Sequence, residues 1–161
     1  MIVQELFSKR EGDFFSWLIR FATKPLAKKT PFKNIPSHNC IRKGHFVYES
    51  TFFSGVRIIP FESWNKVNTI VGVNQRSIPI SDSQFEKVFV DIWGKKYDWK
   101  GILYFGFSLV RFRLFGKKIP KVNKWNDRNK YFCSEASGKL FGIDYQMTAP
   151  VQILEKDCPD N

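Results

Sequence analysis

The stretch FFSWLIRFAT, residues 14 to 23, places apolar side chains at 14, 15, 18, 21 and 22, the spacing of one helical face. Asp13 stands before it and can cap its first turn. Residues 24 to 36, KPLAKKTPFKNIP, hold three prolines and read as a loop. Short runs rich in β-branched and aromatic residues follow: HNCIR, HFVYES, GVRIIPF and TIVGV. They are broken by Lys43-Gly44 and by the turn-like ESWNK. The period changes after Ser81. Phe85, Val88, Phe89, Ile92 and Trp93 recur at helical spacing, Ser83 and Glu86 have the spacing of a capping box, and Gly94 is a stop. Asp98 begins a further helical pattern. A basic loop spans 116 to 130, and Cys133 opens a short helix that ends near Gly142. Helix, then strands, then helices is an α+β order.

At 161 residues the chain fits one domain, 1–161, large enough to bury a core. A hydrophobic content of 43% with 17 Phe excludes a disordered chain. The formal net charge of +11 favours anionic partners: nucleic acid, an acidic wall polymer or a membrane surface. The most apolar run, GILYFGFSLV (101 to 110), is half the roughly 20 residues needed to span a bilayer and is read as a buried helix. The N-terminus lacks the apolar run of a signal peptide, so a cytoplasmic location is expected, with membrane-surface association left open. Three cysteines without CxxC spacing argue against a disulfide framework and against a structural zinc site. No metal or cofactor is implied.

Both histidines, His38 and His45, lie in PSHNCIRKGHFVYE (36 to 49). If 38–42 and 45–50 pair across a tight turn centred on Lys43-Gly44, Arg42 faces His45, Cys40 faces Val47 and His38 faces Glu49. His38 and Glu49 then share a face, and the carboxylate can accept one imidazole N–H and orient a catalytic base. A three-residue loop or a bulge would break that pairing. His45 falls at the mouth of the turn, in solvent.

A thiol reacts as thiolate, and helix N-termini and imidazolium groups lower its pKa. Cys133 is the cysteine that begins a helix, where its own N–H and that of Ser134 are candidate oxyanion donors. Cys40 shares a strand with His38, two residues away, and suits a small core hydrophobe. Cys158 lies in the polar C-terminus and is taken as incidental.

Ser37-His38, VYES (47 to 50), GVRIIPF (55 to 61), YDWKGI (97 to 102) and FCSE (132 to 135), in that order, resemble the permuted papain-like amidases. These form the YiiX-like branch of the NlpC-type cysteine peptidase superfamily, whose relatives include lecithin retinol acyltransferase. The resemblance implies a papain-like fold in which His-bearing strands come first and the Cys-bearing helix last, a small antiparallel sheet packing against helices. It makes Cys133 the nucleophile, His38 the base and Glu49 the third polar residue. Asn39-Cys40 departs from the small apolar residues expected after the histidine. The expected activity is a cysteine hydrolase or acyltransferase, with a peptide, lipid or other acyl substrate. Two further readings compete: a non-catalytic nucleic-acid binder using KVNKWNDRNKYF (121 to 132), and a catalytically silent interaction module.

Overall fold

In the computed structural model, which describes residues 1–127 and 129–157, the chain is α+β: five strands in one open antiparallel sheet, and six helices. The strands are β1 (Ile2–Lys9), β2 (His38–Lys43), β3 (Phe46–Thr51), β4 (Gly55–Pro60) and β5 (Thr69–Ser77), in the order β4-β3-β2-β1-β5. The helices are α1 (Phe14–Thr23), α2 (Phe61–Asn65), α3 (Asp82–Ile92), α4 (Trp99–Phe115), α5 (Cys133–Phe141) and α6 (Pro150–Asp157). Cys158 lies outside the described residues.

The sheet is buried on both faces. Val3, Ile41, Tyr48 and Val56 pack on one side with Phe85, Phe89 and Ile92 of α3 and with Leu140 of α5. Leu6, Cys40 and Val47 meet Trp64 of α2 on the other. β1 lies inside the sheet, paired to β5 along its whole length and to β2 from Gln4 to Ser8. Its pattern was not legible as a strand, because Glu5 and Ser8 are fully buried polar residues that interrupt the apolar alternation.

Four expectations are corrected. ESWNK is not a turn but most of α2, and Trp64 on it is fully buried. The cap of α3 is Ser81 paired with Gln84, not Ser83 with Glu86; Glu86 instead accepts bonds from Lys43 and Tyr48. The apolar run of α4 is only half-buried, with Phe105 and Leu109 inside and Leu103, Phe107 and Val110 exposed. Among the described residues no helix is long and apolar enough to cross a membrane.

The fourth correction positions the site. The tight turn is Gly44-His45, with Lys43 opposite Phe46, Arg42 opposite Val47 and Ile41 opposite Tyr48. Gly44 has φ of +58° while His45, like every other described non-glycine residue, does not take a positive φ, so the glycine fills the first turn position, as a type II′ loop requires. The register is therefore two residues from the expected one. A shift of two keeps every side chain on its face, whereas a shift of one would have reversed them. The β2–β3 ladder also stops at Ile41 and Tyr48, although β2 stays paired to β1 as far as His38 and β3 to β4 as far as Thr51. The sheet thus splits at one end, and the chain entering α5 bonds to both sides of the split. Ser50 Oγ donates to the Tyr131 carbonyl, and Ser134 Oγ donates to Asn39 Oδ1.

Candidate active site

Cys133 is the first residue of α5, with extended Phe132 as its N-cap. Phe132 has no side-chain oxygen to cap the helix. Glu135 supplies half of a capping box, accepting from the Phe132 N–H at 3.2 Å. The amides of Cys133 and Ser134 are then among the helix N–H groups with no intrahelical acceptor. They lie at the positive end of the helix, beside the sulfur.

His38 opens β2 at the split. Its Nε2 stands 2.8 Å from Glu49 Oε2, and its side chain keeps 17% of its surface exposed while that of Glu49 has none. The predicted pair is present, but not as opposed ladder residues: it is a side-chain bond across the gap where β2 and β3 have parted. With Nε2 engaged by the carboxylate, the imidazole also interacts electrostatically with the thiols of Cys133 and Cys40. Nδ1 is the nitrogen left for that task.

Glu49 is held by more than histidine. Its Oε2 also accepts from Trp64 Nε1 at 2.9 Å, and its Oε1 accepts from Arg57 Nε at 2.9 Å and Nη2 at 2.6 Å. Burial would raise its pKa, but the bonds from His38 and Arg57 outweigh burial and hold it down to about 2. Sequence reasoning missed Arg57 and Trp64. Arg57 could have been found by applying the register arithmetic to the next hairpin, because Arg57 is the direct partner of Glu49. Trp64 carried no signal, since its segment read as a turn.

The two cysteines near His38 differ in kind. Burial alone pushes both thiols up. For Cys40 burial wins, and its pKa rises to about 11. For Cys133 the His38 hydrogen bond and charge, the backbone N–H of Asn39 and the Ser134 hydroxyl overcome burial and bring the pKa below the ordinary thiol value. His38 loses basicity to burial and regains more from Cys133, Cys40 and Glu49, so it binds its proton more tightly than a free imidazole. Cys133 and His38 together therefore favour a thiolate–imidazolium pair. A pair of that kind beside Glu49 and Arg57 leaves these four groups without net charge. His45 is exposed in its turn and takes no part.

Asn39, the departure noted in the sequence, has a structural task. Fully buried, it accepts from Ser134 Oγ at 3.1 Å and donates to Glu5 Oε1 at 3.0 Å, and Glu5 in turn accepts from Arg76 Nε at 2.7 Å. This buried chain ties the start of α5 to β2, β1 and β5.

His38 and Cys133 line a cavity of about 670 Å³ between α1 and α4. Its other walls are mostly apolar, including Ile19, Phe52, Tyr97, Ile102 and Phe105. That size lies within the roughly 300–1,000 Å³ of small-molecule pockets. Among the described residues no group of three or more His, Cys, Asp or Glu is placed to hold a metal ion. Comparison of the chain with models of protein families, with curated proteins and with solved structures finds no match.

Proposed function

We propose that the protein is a cysteine hydrolase or acyltransferase of the permuted papain-like kind, acting through an acyl-enzyme on Cys133. The observation that carries this reading is His38, bonded to a buried, four-bonded carboxylate, lining one cavity with the helix-start thiol of Cys133. Glu49 fixes the imidazole, and His38 takes the proton of Cys133. The thiolate attacks the acyl carbon of an amide, ester or thioester. As the carbonyl oxygen gains charge, the N–H groups of Cys133 and Ser134 are the donors for it. The imidazolium returns its proton to the leaving nitrogen, oxygen or sulfur, leaving a thioester on Cys133. A water or another acceptor, deprotonated by His38, then attacks that thioester and frees the enzyme.

The cavity lining bears on the substrate. Arg10, Asp13, Arg57, Asn68 and several serines and threonines line the cavity, but most of the wall surface is hydrocarbon and aromatic ring. A peptide would leave its backbone N–H and C=O groups without partners there, at about 1–3 kcal/mol each. A hydrocarbon acyl chain would not. An apolar acyl group is therefore the favoured substrate side of the scissile bond.

The test is a mass shift. Incubation with p-nitrophenyl esters of short and long fatty acids should add the acyl mass to Cys133 and release nitrophenolate faster for the longer chain. Cys133→Ala should abolish both, and His38→Ala should slow acylation by at least about 100-fold. No adduct on Cys133 with any chain length would overturn the reading.

A further inference from the structure

The mouth of the cavity is built from apolar side chains that face solvent. Phe15 and Leu18 of α1, Phe53 of the β3–β4 turn, and Trp99 and Leu103 of α4 both line the cavity and are 39% to 86% exposed. The surface continues outward in the same chemistry. On α1, Phe14 stacks on Trp17 and Trp17 on Phe21, all three exposed. On α4, Leu114 and Phe115 are 68% and 70% exposed. Monomeric soluble domains rarely leave so much contiguous apolar surface uncovered. Arg113 lies over the Phe21 ring at 5.2 Å, which places the end of α4 beside α1 on one common face.

Charge follows the same division. Residues 14–34 and 99–124, which contain both helices, carry 12 of the 26 Lys and Arg and none of the 15 Asp and Glu. The other 14 basic residues share the rest of the chain with all 15 acids, so the entire net charge of +11 belongs to the two segments that contain α1 and α4; Asp13, which caps α1 and lines the cavity, lies just outside them. Exposed Phe, Trp and Leu together with Lys and Arg, and no acid, is the composition of a helix lying in a membrane interface. A nucleic-acid surface would need the same cations but would not need Leu103, Leu114 or Val110 exposed.

We infer that α1, α4 and the Phe53 turn form a docking face for an anionic lipid bilayer, seating the cavity mouth against the lipid. The aromatic and leucine side chains enter the acyl boundary while the lysines at 117, 118, 121 and 124 meet the headgroups. The face does not depend on the reactivity of Cys133, though it would bring an apolar acyl substrate to the cavity directly.

Vesicle flotation of the full chain tests it, using phosphatidylcholine vesicles with and without phosphatidylserine. Binding should require the anionic lipid. Phe14→Ser with Trp17→Ser, at two exposed positions outside the cavity lining, should weaken partitioning at least about tenfold. Lys117→Gln with Lys118→Gln should weaken it about 25-fold, from roughly fivefold per charge. Cys133→Ala should float as the parent does, which separates this result from failure of the acyl-enzyme reading. Three outcomes would overturn the inference. The protein could fail to float with either vesicle. The aromatic pair could be without effect while single-stranded RNA competes the protein off, marking a general polyanion surface. The parent could instead sediment as a dimer that Phe14→Ser with Trp17→Ser makes monomeric, marking a face covered by a second copy.

Discussion

Arg57 grips one oxygen of Glu49 with two nitrogens, Nε at 2.9 Å and Nη2 at 2.6 Å, and so leaves the other oxygen to His38 and Trp64. The carboxylate that orients the imidazole is itself immobile. A buried charge with every lone pair engaged is stabilising only while its partners remain, and removing one exposes the desolvation cost of the others.

This relationship fixes an acid limb. The folded pKa of Glu49, about 2, lies below its ordinary value of 4.5. Its contribution to stability is therefore complete above pH 4.5 and is lost as pH falls from there towards 2, amounting to about 3 kcal/mol. Arg57→Gln should raise that pKa, move acid unfolding to higher pH and reduce stability at neutral pH by about 2–4 kcal/mol. Urea titrations across this range measure it. Coincident acid limbs for parent and variant would show that Arg57 does not hold the carboxylate.

Iodoacetamide separates the cysteines. Cys133 should be alkylated at pH values below those of a free thiol, and Cys40, pushed up to about 11 and fully buried, should stay unlabelled in the native protein. In His38→Ala burial of Cys133 is opposed only by the Asn39 N–H and the Ser134 hydroxyl, and its labelling at neutral pH should fall at least about tenfold. Turnover should form a bell. It should drop on the acid side where Cys133 regains its proton, and on the alkaline side where His38, raised above 6.5, gives up its own. A normal thiol profile unchanged by His38→Ala would exclude an activated nucleophile.

Glu135 sets the opposite limb. Burial, with Asp98, Cys133 and Asp144 nearby, outweighs its bond from the Phe132 N–H and raises it to about 8. A carboxyl whose folded pKa exceeds its unfolded 4.5 supports the fold fully below 4.5 and loses that support as pH rises through about 8. Glu135→Gln should flatten this decline, so that the variant gains on the parent by about 1 kcal/mol or more in alkaline buffer. Thermal unfolding at several pH values reads it. Parallel curves would place the titrating group elsewhere.

Gly55 starts the strand that carries Arg57. Its φ is +64°, and a Cβ there would collide with the Lys95 carbonyl, whose oxygen accepts from the Val56 N–H. Gly55→Ala should cost about 2 kcal/mol or more from strain and collision together. Loss of the Glu49–Arg57 contact should follow, seen as a higher acid midpoint. A stability within about 0.5 kcal/mol of the parent would mean that the edge can yield.

Local periodicity is enough to place several parts of this protein. The first helix begins and ends where its apolar spacing and Asp13 place it, and Cys133 opens its helix because the pattern from 131 to 143 is helical with Gly142 as its end. The partnership of His38 and Glu49 was legible as well, through alternation: a two-residue error in register leaves parity, and therefore facing, unchanged. Tertiary structure alone decided the rest. Splitting of the sheet between β2 and β3, and the entry of the α5 N-terminus beside it, bring Cys133 to a histidine 95 positions earlier, and no local pattern encodes such a contact. It also decided that Trp64 caps Glu49 from a segment that reads as a turn, that Glu5 is buried on β1, and that α4 turns half of its apolar surface outward. These depend on what covers each side chain. Periodicity reports which residues share a face, and only packing determines whether that face meets protein or solvent.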